Sequence, residues 1–134
     1  MVWNCMVRGA MSGFVLDVHD YAGQRVVLTE EVFAAHVYSA AKGEADREFR
    51  RVALSFVPQV LRRPRFVYYN YDDPKSTRLR YLDLAIMPDG KIKAVLVVVD
   101  TASVPWQVVT WFAMTKLKGE RTAQGGVIFG GSQV

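Results

Sequence analysis

The hydrophobic period of this chain changes at Pro64, and that change limits what the chain can fold into. Before it, Phe49, Val52, Ala53, Phe56, Val57 and Val60 recur at spacings of three and four, the stripe of an amphipathic helix. After it, Phe66-Val67-Tyr68-Tyr69-Asn70-Tyr71 is aromatic and β-branched, the composition of a strand. Strands are predicted near 66–71, 79–87, 91–99 and 106–113, forming one antiparallel sheet. Pro88-Asp89-Gly90 carries the chemistry of a hairpin turn between the second and third. Ala94 to Val99 is apolar on both alternating faces, as expected of a central strand.

The first half is punctuated as clearly. Phe14 to Val18 reads as a short strand, Asp20 to Gln24 as a turn with Gly23 free to take positive φ, and Arg25 to Leu28 as the returning strand. Thr29 is an N-cap residue, and Glu30 and Glu31 follow where negative charge favours a helix N-terminus. That helix is expected to run to about Ala41, with Gly43 as its stop, and a second to begin near Glu44. Pro58 should kink this second helix or break it and start a new turn. The predicted fold is α+β, with a short N-terminal hairpin, then helices, then the antiparallel sheet. A length of 134 residues suits a single domain over 1–134. Residues 1–13 are expected as a flexible N-terminus. The Gly-rich stretch 120–134 is expected as a flexible tail or a weak edge strand around Val127-Ile128-Phe129.

Several chemistries lack the residues they need. Cys5 is the only cysteine, so neither an intrachain disulfide nor a thiolate cluster can form. No HExxH, no Gly-rich loop between a strand and a helix, and no GxSxG occurs, so zinc, phosphate-loop and nucleophile-elbow chemistry have no motif. No metal or other cofactor is expected. No signal peptide is evident, and the apolar run Ala94 to Val99 is too short to span a bilayer. A cytoplasmic or phage- or virion-associated protein without membrane contact is expected.

Charge is unevenly spread. Between Arg47 and Arg80 stand nine basic residues against Glu48, Asp72 and Asp73, an excess of +6 in a chain whose net charge is +4. Such a cluster suits a phosphate backbone, or else an ordinary solvated face. His36 shares its helix face with Val32, Phe33, Val37 and Ala40 and so points toward the sheet. It is either a partly buried histidine satisfied by a carbonyl or a general acid or base, since imidazole titrates near neutrality. Strand alternation puts Trp106, Val108, Thr110 and Phe112 on one face, and Thr110 is either a β-former or a hydroxyl for a phosphate oxygen.

These words together resemble the phage-encoded nuclease-like domains of the barnase–EndoU–colicin–RelE superfamily. The resemblance runs from about Val26 to Gly119. It is carried by Val27-Leu28-Thr29-Glu30-Glu31, then Phe33 and His36-Val37, then Leu61-Arg62-Arg63-Pro64, Tyr68-Tyr69, the valine-rich strand before Asp100, and Val108-Val109-Thr110-Trp111-Phe112. It implies N-terminal helices packed on a four-stranded antiparallel β-meander, and metal-independent RNA cleavage on the sheet near the first helix, with His36 and Thr110 as the matching catalytic residues. The family often carries a second histidine about five residues on, beside a proline, where this chain has Ala41 and Lys42.

The expected function is therefore a toxin-like or phage-associated endoribonuclease working by attack of the ribose 2′-OH on phosphorus. His36 moves the proton, and one of Arg65, Lys75, Arg78 and Arg80 steadies the phosphorane charge. Tyr68 or Tyr69 would stack on a base, or pack within the sheet. Expected partners are RNA, transfer RNA included, and an immunity or antitoxin protein. The alternative is a catalytically inactive module of the same fold that binds nucleic acid or a protein.

Overall fold

A computed structural model describes residues 13–38, 43–69, 76–116 and 127–130. The N-terminal hairpin forms from β1, Phe14–His19, and β2, Arg25–Thr29. Gly23 sits at its turn with φ of 88°, a conformation that costs glycine little. The Asp20 carboxylate fixes that turn by accepting the backbone N–H groups of Ala22 and Gln24, both at 2.9 Å.

Thr29 caps α1, Glu30–Val37, its hydroxyl accepting the Val32 N–H at 3.2 Å. The helix is shorter than the pattern suggests: it ends at Val37, and Ala40, Ala41 and Lys42 lie outside the described residues. Next come α2, Glu44–Leu54, and α3, Val57–Arg62. Pro58 stands in the first turn of α3, where its missing N–H is not needed, so the stripe breaks into two helices rather than kinking. Ala53, Val57, Val60 and Leu61 are buried by these helices, while Phe49 remains 40% exposed.

The second half forms β3, Phe66–Tyr69, β4, Arg78–Ile86, β5, Ile92–Asp100, and β6, Trp106–Thr115. They pair antiparallel in chain order, so the expected meander is present. Gly90 takes φ of 86° in the turn joining β4 to β5, and its N–H donates to the Met87 carbonyl at 2.8 Å. The expectation of a four-stranded, purely antiparallel sheet is nevertheless too narrow. The sheet has seven strands in the order β1-β2-β6-β5-β4-β3-β7, and it is mixed. β2 joins β6 in parallel through Val26 and Val27, which lie beside Trp106 and Gln107. The reason is burial: Val26, Val27 and Leu28 are consecutive apolar residues at 0–1% exposure, and such a run needs cover on both faces. At the other edge β7, Val127–Gly130, pairs antiparallel with β3, so this part of the Gly-rich tail is an edge strand.

All three helices lie on one face of the sheet. There Val26, Leu28, Val67, Tyr81, Val95, Val97, Val108 and Trp111 meet Val37, Ala53, Val57 and Leu61 in the larger core. The opposite face carries a smaller apolar cluster of Tyr68, Leu82, Ala94, Leu96, Val98 and Met114. No helix of the described residues is long and apolar enough to cross a membrane.

Candidate active site at the β6 edge

Register across the sheet decides which side chains meet. Directly paired residues share a face. Tyr68 pairs with Arg80, Arg80 with Val98, and Val98 with Thr110, so these four form one row across β3, β4, β5 and β6. Val98 and Tyr68 belong to the smaller cluster, which puts the row on the face away from the helices. The next row toward the strand ends holds Arg78 opposite Asp100. The face is therefore polar and basic at one end and apolar at the other, where Phe66, Leu82, Leu96 and Phe112 pair across it.

Thr110 reaches this row through a bulge. Val98 pairs with Thr110 but Val99 pairs with Val108, so Val109 is an extra residue. Simple alternation, which put Trp106, Val108, Thr110 and Phe112 on one face, is corrected here. Trp106 and Val108 face the helices, and Thr110 and Phe112 face the other way.

The bulge lies where β2 leaves the sheet. Pairing of β2 with β6 covers Trp106 and Gln107; the chain then turns into α1 at Thr29. From Val108 onward the outer edge of β6 has no strand partner among the described residues. Arg50 of α2 fills that edge. Its guanidinium donates to the Trp111 carbonyl and to the Thr110 hydroxyl, the latter at 3.2 Å. The indole N–H of Trp111 donates back to the Arg50 carbonyl at 2.9 Å. The Arg50 charge also lies 5.8 Å from the Trp111 ring centre and 5.9 Å from that of Phe112, within range of cation–π attraction.

His36 of α1 also lies against Trp111, the two ring centres 5.3 Å apart. Its Nδ1 lies 2.9 Å from the Val32 carbonyl, which can only accept, so Nδ1 carries the proton of that bond. In the neutral ring Nε2 then holds the lone pair. His36 and Thr110 thus do not share a sheet face. Trp111 joins them: its ring lies against His36, and Arg50 bonds both its carbonyl and the Thr110 hydroxyl.

The remaining sequence-predicted residues separate. Arg78 and Arg80 lie on the face of Thr110, Arg78 exposed and Arg80 half-buried. The Nε of Arg80 is buried and has no hydrogen-bond partner among the described residues. Arg65 lies over the Phe66 ring at 5.7 Å, toward the apolar end of that face. Tyr68 is wholly buried, so its ring packs in the sheet, whereas its neighbour Tyr69 is 53% exposed. Lys75 lies outside the described residues. Among the described residues, no three His, Cys, Asp or Glu side chains gather where a metal ion could be held.

Arg50 is the site residue that pattern reading passes over. The signal was its phase: Arg50 stands three residues before Ala53 on one face of α2, and Ala53 is buried. An arginine on the buried flank of an apolar stripe needs a partner, and here that partner is another strand's edge.

The sequence matches the family described as phage-Barnase-EndoU-ColicinE5/D-RelE like nuclease2 over residues 15–130. The chain belongs to this nuclease family. The match spans β1 to β7, so it takes in the helices, the meander and the open edge of β6 together. No curated protein and no solved structure matches the chain.

Proposed function

We propose that this member of the nuclease family is an endoribonuclease that cleaves RNA by attack of the 2′-OH on the adjacent phosphorus, without a metal ion. The nucleophile belongs to the substrate, so the protein has to move protons and balance charge. His36 offers Nε2 for proton transfer while Val32 holds its Nδ1 proton. Arg50 is the cation for the phosphorane oxygens, and Thr110 offers a hydroxyl beside it. The observation that carries the reading is the open edge of β6, where Arg50 bonds the Thr110 hydroxyl and the Trp111 carbonyl and the Trp111 ring lies against His36. RNA, with transfer RNA among the candidates, is the substrate in this reading, and an immunity or antitoxin protein would be a fitting partner.

A second reading is a non-catalytic module that binds nucleic acid. Ala41, where the family often has a second histidine, favours it. One experiment separates the two. Labelled RNA is incubated with the parent and with His36→Ala in the presence of a chelator. The nuclease reading expects 2′,3′-cyclic phosphate ends from the parent alone, and no cut where the scissile ribose is 2′-deoxy. Tight binding with no cleavage by the parent favours the binding module.

A further inference from the structure

A second cleft opens on the helix side of the sheet, away from the row of Thr110 and Arg80. It encloses about 340 Å³ between the β1–β2 turn and the ends of β3, β4 and β6. Tyr21, Tyr69, Trp106 and Tyr81 line it, four aromatic rings in a cleft of that size. Tyr21 and Tyr81 meet edge to face, ring centres 6.3 Å apart, and Tyr69 is 53% exposed. The wall is rigid. Asp20, only 7% exposed, accepts the Tyr81 hydroxyl at 2.7 Å as well as the two backbone N–H groups of its own turn.

The turn that lines this cleft also touches the end of α3, which carries a basic groove. The Tyr21 N–H donates to the Leu61 carbonyl at 2.9 Å, which ties the turn to the end of α3. The next two residues, Arg62 and Arg63, line a groove of about 510 Å³ with Gln59. Both arginines are exposed, and neither meets a carboxylate among the described residues. Guanidinium groups beside a rigid aromatic cleft match the two halves of a nucleotide, phosphate and base.

We propose that the Tyr21–Tyr69–Trp106 cleft and the Arg62–Arg63 groove form a second binding site for single-stranded RNA, one that takes an unpaired base between the rings and its phosphates on the arginines. The site shares its substrate class with the nuclease reading but none of its chemistry. Only an unpaired base has its faces free to enter the cleft, since bases in a duplex are already stacked on one another. The two sites lie along one strand. Trp106 begins β6 and Trp111 lies further along it, beyond the bulge at Val109.

The test measures binding apart from cleavage. The full chain carrying His36→Ala is titrated by fluorescence anisotropy against a labelled single-stranded RNA and against the duplex of the same sequence. The single strand should bind at least about tenfold more tightly, and Tyr69→Ala should weaken it about tenfold, the usual scale for losing one stacked base. Tyr69→Phe should restore the affinity to within about twofold, since it keeps the ring. Arg62→Glu with Arg63→Glu should weaken binding and flatten its salt dependence. Equal affinity for single strand and duplex, or equal affinity of the parent, Tyr69→Ala and Tyr69→Phe, would overturn the proposal, as would absence of binding at low salt. Cleavage by the His36 parent with no Tyr69 dependence of binding removes the second site alone. Tyr69-dependent binding with no cleavage by the parent removes the nuclease reading alone.

Discussion

Arg50 and Trp111 hold each other by reciprocal hydrogen bonds: the guanidinium donates to the Trp111 carbonyl, and the indole N–H donates to the Arg50 carbonyl at 2.9 Å. The pair fastens α2 to the open edge of β6 and sets where the charge beside Thr110 sits. Trp111→Phe keeps most of the buried bulk and removes one donor. It should lower stability by about 1 kcal/mol in urea denaturation, the usual net worth of one hydrogen bond. Trp111→Ala adds the cavity of a fully buried ring and should cost about 3–5 kcal/mol.

Arg50→Lys separates charge from geometry. Lysine keeps the cation but lacks the planar fork that bonds the Trp111 carbonyl and the Thr110 hydroxyl together. The expected outcome is a fold close to the parent's with a clear fall in RNA cleavage. A cleavage rate equal to the parent's would remove Arg50 from the proposed site.

His36→Ala and Thr110→Val test the two sides of the β6 edge. Loss of the imidazole should lower the cleavage rate about 10²–10⁴-fold, the usual range for a general acid or base. Thr110→Val is nearly isosteric and should leave the melting temperature within a few degrees while reducing cleavage. If His36→Ala cleaves as the parent does, proton transfer belongs to another group.

Tyr81→Phe tests the clamp beneath the β1–β2 turn. Burial and the Asp20 carboxylate both push the Tyr81 hydroxyl well above the usual phenol range, so it stays a donor at all ordinary pH. Removing it leaves a buried carboxylate oxygen one bond short and should cost about 1.5–3 kcal/mol, the scale for a hydrogen bond to a charged group. Thermal or urea unfolding of the two proteins at one pH measures the difference.

Asp83 gives the pH dependence a sign. Burial raises its pKa above the ordinary carboxylate value, against the opposing pull of the Leu84 N–H and Arg65. The folded state then holds this proton more tightly than the unfolded chain, so the contribution is present at low pH and is lost as pH rises through the folded pKa. Asp83→Asn keeps an acceptor for the Leu84 N–H and carries no charge. It should be more stable than the parent at neutral pH, and the gap should close as the medium becomes acidic. A gap that widens in acid would contradict the assignment.

Much of this molecule was legible in its sequence because the rules involved act over a few residues. Thr29 caps α1 through a hydrogen bond three residues long, Pro58 starts a helix because it has no N–H to lose, and Gly23 and Gly90 stand where φ is positive. The meander follows from period and turn chemistry, and His36 follows from helical phase. Tertiary structure alone decided the parallel pairing of Val26 and Val27 with β6, the extra residue at Val109 and the reach of Arg50 to Thr110. Each depends on register between segments far apart in the chain, 60 residues in the case of Arg50 and Thr110. A one-residue bulge reverses every side chain beyond it, and nothing within β6 itself announces where the neighbouring strands will force one.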